Sequence, residues 1–240
     1  MSVSEPTAAP RRVGHKGAAH LAPGNTLASF EAAVGAGVDM IEFDVLSERP
    51  DGSGRLLLAH DYQALAAAPA LTLREGLEHL ASDAYAGIEL DVDVKLPGYG
   101  ERVVRELRET GLIERSLVSS TFPRELDAMR AIEPSLRVGW SVPRARRDYT
   151  KDRLMAIPAL AMLAAYRAWL PGRARAALRE GRFDAIMSHW RLVTPPLVRA
   201  VAAGGGELYV WTVDDAALMG RLTAMGVDGI ITNDPRLFAA

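Results

Sequence analysis

PDGSG, residues 50–54, separates two β-type runs, MIEFDVL (40–46) and RLLLAHD (55–61), with no helical pattern between them. Clusters of Gly, Pro and Asp are turn signals, so the two runs read as a hairpin and not as a βαβ unit. This matters because the strand-like runs are one too many for an eight-stranded barrel. The others are RVGH (12–15), GIELDVDVK (87–95), SLVSST (116–121), LRVGWSV (136–142), AIMSHW (185–190), ELYVWTV (207–213) and GIITND (229–234). Helical patterns alternate with them at 26–36, 72–81, 100–110, 123–132, 151–179, 195–203, 215–225 and 235–238, and Pro171-Gly172 breaks the fifth. Such alternation predicts a parallel sheet covered by helices. With 55–61 assigned to the hairpin, eight strands remain. The expected fold is α/β, a TIM (β/α)8 barrel with a β-hairpin projecting at the C-terminal mouth after strand 2. With Gly52 at the hairpin tip, Asp44 lies eight residues before it and His60 eight after it, which brings His60 back beside Asp44.

The 240 residues suffice for one such domain, expected over 13–240 behind a mobile N-terminal tail at 1–12. Hydrophobic residues make up 49%, and 28 Lys and Arg face 30 Asp and Glu. That balance argues against a disordered chain and against a nucleic-acid binder. The absence of cysteine removes disulfides, thiolate metal sites and a thiol nucleophile. The longest apolar stretch, near 155–166, contains Pro158 and is too short to span a bilayer. MSVSEPTAAPRR lacks the apolar segment of a signal peptide. A soluble cytoplasmic protein without stable membrane insertion is the expectation.

Inside the first hairpin arm, IEFDV (41–45) alternates apolar and acidic residues. Strand side chains alternate between faces, so Glu42 and Asp44 share one face. Buried without a partner, each carboxylate would cost several kcal/mol. Something positive must face them, or water must. In such barrels chemistry sits at the C-terminal strand ends. Those ends carry His15, Glu42 with Asp44, Asp93 with Lys95, Ser120, Trp140, His189, Trp211 and Asp234. Glu89, Asp91, Asp93 and Lys95 also share a face by the period of two. Acidic oxygens converging without cysteine suit a hard divalent cation, Mg²⁺ or Ca²⁺. Asp91 reads as a neighbour of the ligands and not a ligand itself. His189 is equally suited to lining the mouth and to packing in the core. Ser120 lacks a nucleophile elbow and reads as structural. Two further features stand apart, the basic run Arg144–Arg147 after a barrel strand and the apolar stretch 155–170, an outer helix or a surface contact.

GHKG (14–17), PGNTLASFEAAVGAGVDMIEFDV (23–45), LAHD (58–61), VDVK (92–95), VWTVDD (210–215) and GVDGIITNDP (226–235) occur in this order. Together they resemble the glycerophosphodiester phosphodiesterase family, whose members carry HRG, PENT, E-x-D, HD, E-x-K and a late GVDGIITD-type segment. The resemblance runs from about Val13 to Phe238. It implies metal-dependent cleavage of glycerophosphodiesters to an alcohol and glycerol 3-phosphate, with His15 and His60 as the acid–base pair. It implies Glu42, Asp44 and Asp93 as metal ligands, Lys16 and Lys95 at a phosphate oxygen, and Trp211 against the alcohol. Lys16 stands where the family has Arg, Gly24 where PENT has Glu, and Asp93 where Glu precedes Lys. The stretch between Asp61 and the strand at 87 leaves room for one helix, a smaller cap than many members carry. Two other readings of the same residues are cleavage of a lipid phosphodiester, phospholipase D-like or phosphoinositide phospholipase-like, and a barrel that binds polyol phosphates without turnover.

Overall fold

Nine strands follow in the order of the runs: β1 (Arg11–Gly14), β2 (Met40–Ser47), β3 (Leu56–Leu58), β4 (Glu89–Val94), β5 (Ser116–Ser120), β6 (Arg137–Val142), β7 (Ala185–His189), β8 (Glu207–Trp211) and β9 (Gly229–Thr232). They belong to a computed structural model that describes residues 9–144 and 156–239. Each strand except β3 pairs in parallel with its barrel neighbours, and β1 joins both β9 and β2, which closes eight strands into a barrel. β1 reaches only the lower part of β2, at Met40 and Ile41; β3 takes the same edge higher up, antiparallel, at Val45 to Ser47. The hairpin therefore stands above the mouth because β1 is short.

Its register differs by one residue from a tip at Gly52. Val45 faces Leu58 and Leu46 faces Leu57, which centres the turn between Asp51 and Gly52. Gly52 and Gly54 both take positive φ, 85° and 80°, which a side chain would strain. Arg102 donates to the carbonyls of Gly52 and Gly54, fastening the turn to α4 (Gly100–Glu109). β3 ends at Leu58, so His60 leaves the hairpin and enters the following turn.

The helices are α1 (Leu27–Gly35), α2 (Tyr62–Ala67), α3 (Leu73–Leu80), α4, α5 (Pro123–Ile132), α6 (Ala156–Arg179), α7 (Pro195–Gly204) and α8 (Ala216–Met225). Thr26 and Thr72 start α1 and α3 with capping boxes, and Asp61 and Asp215 cap α2 and α8. The short α2 is not apparent from apolar periodicity, because none of its residues is buried. Two helices, not one, thus lie between Asp61 and β4. α6 runs unbroken through Pro171, with Leu170 and Ala174 fully buried on either side of it. Packing against the barrel outweighs the local cost of the proline there. The expected tail at 1–12 lies outside the described residues as far as Ala8, and Arg11 and Arg12 already belong to β1. Residues 145–147 of the basic run and Met155 also lie outside them.

Two cores form. The larger fills the space between strands and helices and includes Phe30, Leu77, Leu90, Val104, Leu126 and Leu197. The smaller fills the barrel with Val13, Met40, Leu117, Ala185, Met187, Tyr209 and Ile231. Gly229 makes room for Tyr209, since a Cβ there would stand 2.3 Å from its ring. Below this plug Arg11, Glu89, Arg137 and Glu207 alternate in charge and close the bottom, with Arg11 to Glu89 3.2 Å and Arg137 to Glu89 3.1 Å. Glu89 therefore belongs to the floor and takes no part in the acidic cluster at the mouth. Trp140 points outward under α6, against Trp169 and Phe183, and not into the mouth.

Candidate active site

Parallel pairing of β2 with β4 sets Glu42 beside Asp91 and Asp44 beside Asp93. Period two turns all four carboxylates into the barrel, so like charges sit on neighbouring strands with the apolar plug beneath. Glu42, Asp44 and Asp91 are buried and Asp93 is partly open. Their charges are compensated from two sides. The Lys95 ammonium contacts Asp44 Oδ1 and Asp93 Oδ2, and Lys16 Nζ lies 3.5 Å from Asp44 Oδ2. Asn25 grips Asp44 twice: its Nδ2 donates to Oδ2 at 2.9 Å and its Oδ1 accepts the Asp44 backbone N–H at 3.0 Å. Asn25 does this from a left-handed backbone, φ 59°. It lies inside the PGNT motif, 19 residues before its partner, and an amide there carries no local sign of that contact.

Burial would raise Asp44, but Lys95 and Lys16 outweigh it and hold the group well below the usual carboxylate range. Glu42 goes the other way: burial and then the Asp44 charge hold it well above that range. Asp44 and Asp93 hold Lys95 above its ordinary value in spite of burial. Ligand oxygens of Glu42, Asp44 and Asp93 can lie within 4.8 Å of one another. Asp44 Oδ1 is buried and has only the Lys95 ammonium beside it, without an aligned hydrogen bond. Three hard oxygen donors with a lone pair unspent fit a hard divalent cation.

Asp91 Oδ1 is buried with no hydrogen-bond partner. Burial, with Asp93 alongside, pushes this carboxyl up to about 8, so the folded chain carries it protonated at neutral pH. Unfolded, it titrates near its ordinary value, about 3.9. Between those two values the folded chain binds more protons, so stability is lost as pH rises from about 4 through about 8. Asp91→Asn removes this dependence. Its Tm relative to the parent should climb between roughly pH 5 and 9 in the presence of chelator, read by circular dichroism. A constant difference across that range would show that Asp91 is already ionised in the folded chain.

The two histidines line one cavity of about 760 Å³ at the C-terminal mouth, together with Glu42, Asp93, Lys95 and Trp211. His15 follows β1 and is half-buried. Its Nδ1 lies 2.6 Å from Asn233 Oδ1, and Asn233 Nδ2 donates to Asp214 Oδ2 at 2.6 Å. Asp214 also accepts from the Asn233 backbone N–H and the Thr232 hydroxyl. A carboxylate on the amide fixes Nδ2 towards Asp214 and Oδ1 towards the ring, so His15 carries its proton on Nδ1. Nε2 is left with a lone pair, 3.8 Å from Glu42 Oε2. Burial lowers the ring to about 4, leaving it neutral at pH 7. His60 is exposed, and its Nδ1 meets Asp61 Oδ2 at 2.9 Å while Asp61 Oδ1 caps α2. Asn233 and Asp214 sit within the quoted late motifs, but only a contact spanning 218 residues gives them a partner in His15.

Lys16 bridges two elements, for its backbone N–H donates to Glu42 Oε2 at 2.8 Å. A Cβ on residue 24 would stand 2.9 Å from Lys16 Cβ. Without a side chain at 24, the Lys16 side chain packs directly over the Gly24 backbone. Trp211 lines the cavity and donates Nε1–H to the Met187 carbonyl at 3.0 Å. His189 stands edge-on behind Trp211, ring centroids 5.1 Å apart, and stacks on Trp190, outside the cavity wall. Ser120 donates to the Val94 carbonyl and is structural. Asp234 pairs with Arg236 at 2.7 Å and is not among the residues that line the cavity.

The sequence model described as the Glycerophosphoryl diester phosphodiesterase family matches residues 15–63, and a second with the same description matches 207–236. A glycerophosphodiester phosphodiesterase of Caldanaerobacter subterraneus is 25% identical over 93% of this chain and 93% of its own. A probable glycerophosphodiester phosphodiesterase of Mycobacterium tuberculosis is 27% identical over 88% of this chain and 82% of its own. Among solved structures, a phosphodiesterase of Oleispira antarctica in complex with the product sn-glycerol-3-phosphate superposes with a TM-score of 0.66 at 20% identity, covering 97% of this chain and 98% of that one.

Proposed function

We propose that the chain is a member of the glycerophosphodiester phosphodiesterase family, as the two matching models and the relatives along nearly its whole length support, and that it hydrolyses glycerophosphodiesters to an alcohol and glycerol 3-phosphate. The observation that carries this reading is that one cavity is lined by both His15 and His60 together with the carboxylates of Glu42 and Asp93. Glu42, Asp44 and Asp93 would hold a divalent cation, Mg²⁺ or Ca²⁺, which when bound supplies Lewis-acid polarisation of a phosphoryl oxygen. Lys95 and Lys16 add fixed positive charge where negative charge grows on the phosphoryl group. His15, neutral with a lone pair on Nε2, takes the proton from the attacking water as its oxygen bonds to phosphorus. His60, open to the cavity and held at Nδ1 by Asp61, gives a proton from Nε2 to the leaving alkoxide. The Asp214–Asn233 pair keeps the base in the tautomer the step requires. Trp211 offers an apolar face to the alcohol half.

The test is release of glycerol 3-phosphate from a panel of glycerophosphodiesters, with and without EDTA. Turnover should fall at least about tenfold on chelation and return on adding Mg²⁺ or Ca²⁺. Binding of glycerol phosphate without turnover on any panel member would instead make the barrel a binding protein.

A further inference from the structure

α6 is 24 residues long, where no other helix of the described residues exceeds 10. At about 1.5 Å per residue it measures roughly 36 Å, more than twice its neighbours. It follows β6 and so begins on the mouth side of the barrel. Arg167 marks the level of the rim, for its Nε donates at 2.8 Å to the carbonyl of Arg191, in the turn directly after β7. The eleven residues 156–166 lie on the mouth side of that level and carry no charge.

This segment is apolar on more than its packed stripe. Leu163, Tyr166 and Leu170 touch the core. Leu160 and Met162 flank that stripe on opposite sides and are 57% and 55% exposed. Ala161, Ala164 and Ala165 cover the outer face and are exposed as well. Of the five large hydrophobic side chains exposed among the described residues, α6 carries three, the third being Trp169. Where the apolar segment ends, Tyr166, Arg167, Trp169 and Arg173 follow, with the Arg173 guanidinium 5.4 Å from the Trp169 ring. From 156 to 179 the chain has four arginines and no acid.

We propose that this end of α6 docks the protein reversibly on an anionic lipid surface, with the barrel mouth turned towards the headgroups. A second copy of the chain would cover one stripe of the helix, whereas side chains exposed on both flanks and on the outer face suit a medium that surrounds them. Aromatic residues with arginine at the boundary of an apolar segment are the pattern of a membrane–water interface. Arg167, at the level of the rim, and Arg173 beyond it supply attraction to anionic headgroups, with no acid within α6 to offset them. At about 16 Å the segment reaches only about half of the hydrocarbon thickness, so it lies in one leaflet and does not cross. No helix among the described residues is long and apolar enough to span a membrane.

The experiment is cosedimentation of the full chain with phosphatidylcholine vesicles, with and without phosphatidylglycerol. The parent should bind the mixed vesicles, and salt should weaken binding. Leu160→Glu with Met162→Glu should reduce vesicle affinity by about tenfold or more. The same variant should keep the parent's Tm and its rate on soluble glycerophosphocholine. Failure of the parent to bind, equal binding to neutral vesicles, or binding unaltered by the double variant overturns the inference. So does a concentration-dependent dimer that the double variant dissolves, which assigns the surface to a second copy. Vesicle binding is read without turnover, so its outcome is independent of the proposed hydrolysis.

Discussion

Replacing His15 or His60 by alanine should lower kcat for glycerophosphodiester hydrolysis by on the order of 10²–10⁴-fold each. The fold should survive both changes, for different reasons. His60 is exposed, and its loss frees Asp61 Oδ2 to water while Oδ1 goes on capping α2. His15 is half-buried and gives up one hydrogen bond to Asn233, which Asp214 still holds. Both variants should therefore unfold within about 1–2 kcal/mol of the parent. The two residues act on one proton path, so the double variant should be little slower than the slower single one. A stopped-flow or product-release assay at saturating substrate separates the outcomes. If either single variant keeps near-parental kcat, that histidine is not part of the acid–base pair.

Asp44→Asn is the second change with a large consequence, and it reaches stability as well as rate. Asp44 is fully buried and faces the Lys95 and Lys16 ammonium groups and both ends of the Asn25 amide. The neutral amide keeps the shape and removes the charge. Lys95, itself only 17% exposed, would then have Asp93 alone against it. Breaking a buried pair from one side costs about 3–5 kcal/mol, because the remaining charge stays desolvated. Urea unfolding should report a loss of that order. The variant also lacks one of three oxygen donors, so kcat should fall by on the order of 10³-fold or more, several kcal/mol of transition-state stabilisation, even with Mg²⁺ or Ca²⁺ in excess. Unchanged stability would mean that Lys95 is solvated in solution. Unchanged kcat would remove Asp44 from the site.

The residues of the site differ in how far side-chain spacing alone places them. Glu42, Asp44, Asp93 and Lys95 follow from a period of two on adjacent strands, and register alone then sets them side by side. His60 follows from the short turn at PDGSG, although β3 ends at Leu58 and leaves His60 in the turn that starts α2. That turn was invisible because α2 buries nothing, and periodicity detects only buried faces. Glu89 obeys the same period as Asp93 but lies at the other end of β4, where Arg11 and Arg137 take it into the floor. Period two gives the face of a strand and says nothing about depth along the barrel.

Readable from spacing and turn residues were the alternation of strand and helix, the hairpin that reduces nine runs to eight barrel strands, and which side chains of each strand share a face. Those are local properties, carried by side-chain spacing and turn chemistry within a few residues. Folding adds the Asn25 grip on Asp44, the Asp214–Asn233 pair that sets the tautomer of His15, the packing of Lys16 over Gly24, and the outward face of Trp140 beneath α6. Each of these depends on groups brought together by closure of the barrel or packing of its helices. An amide or a glycine carries no local sign of the partner it will meet, because the hydrogen bond or the contact that gives it a role exists only after the chain has folded.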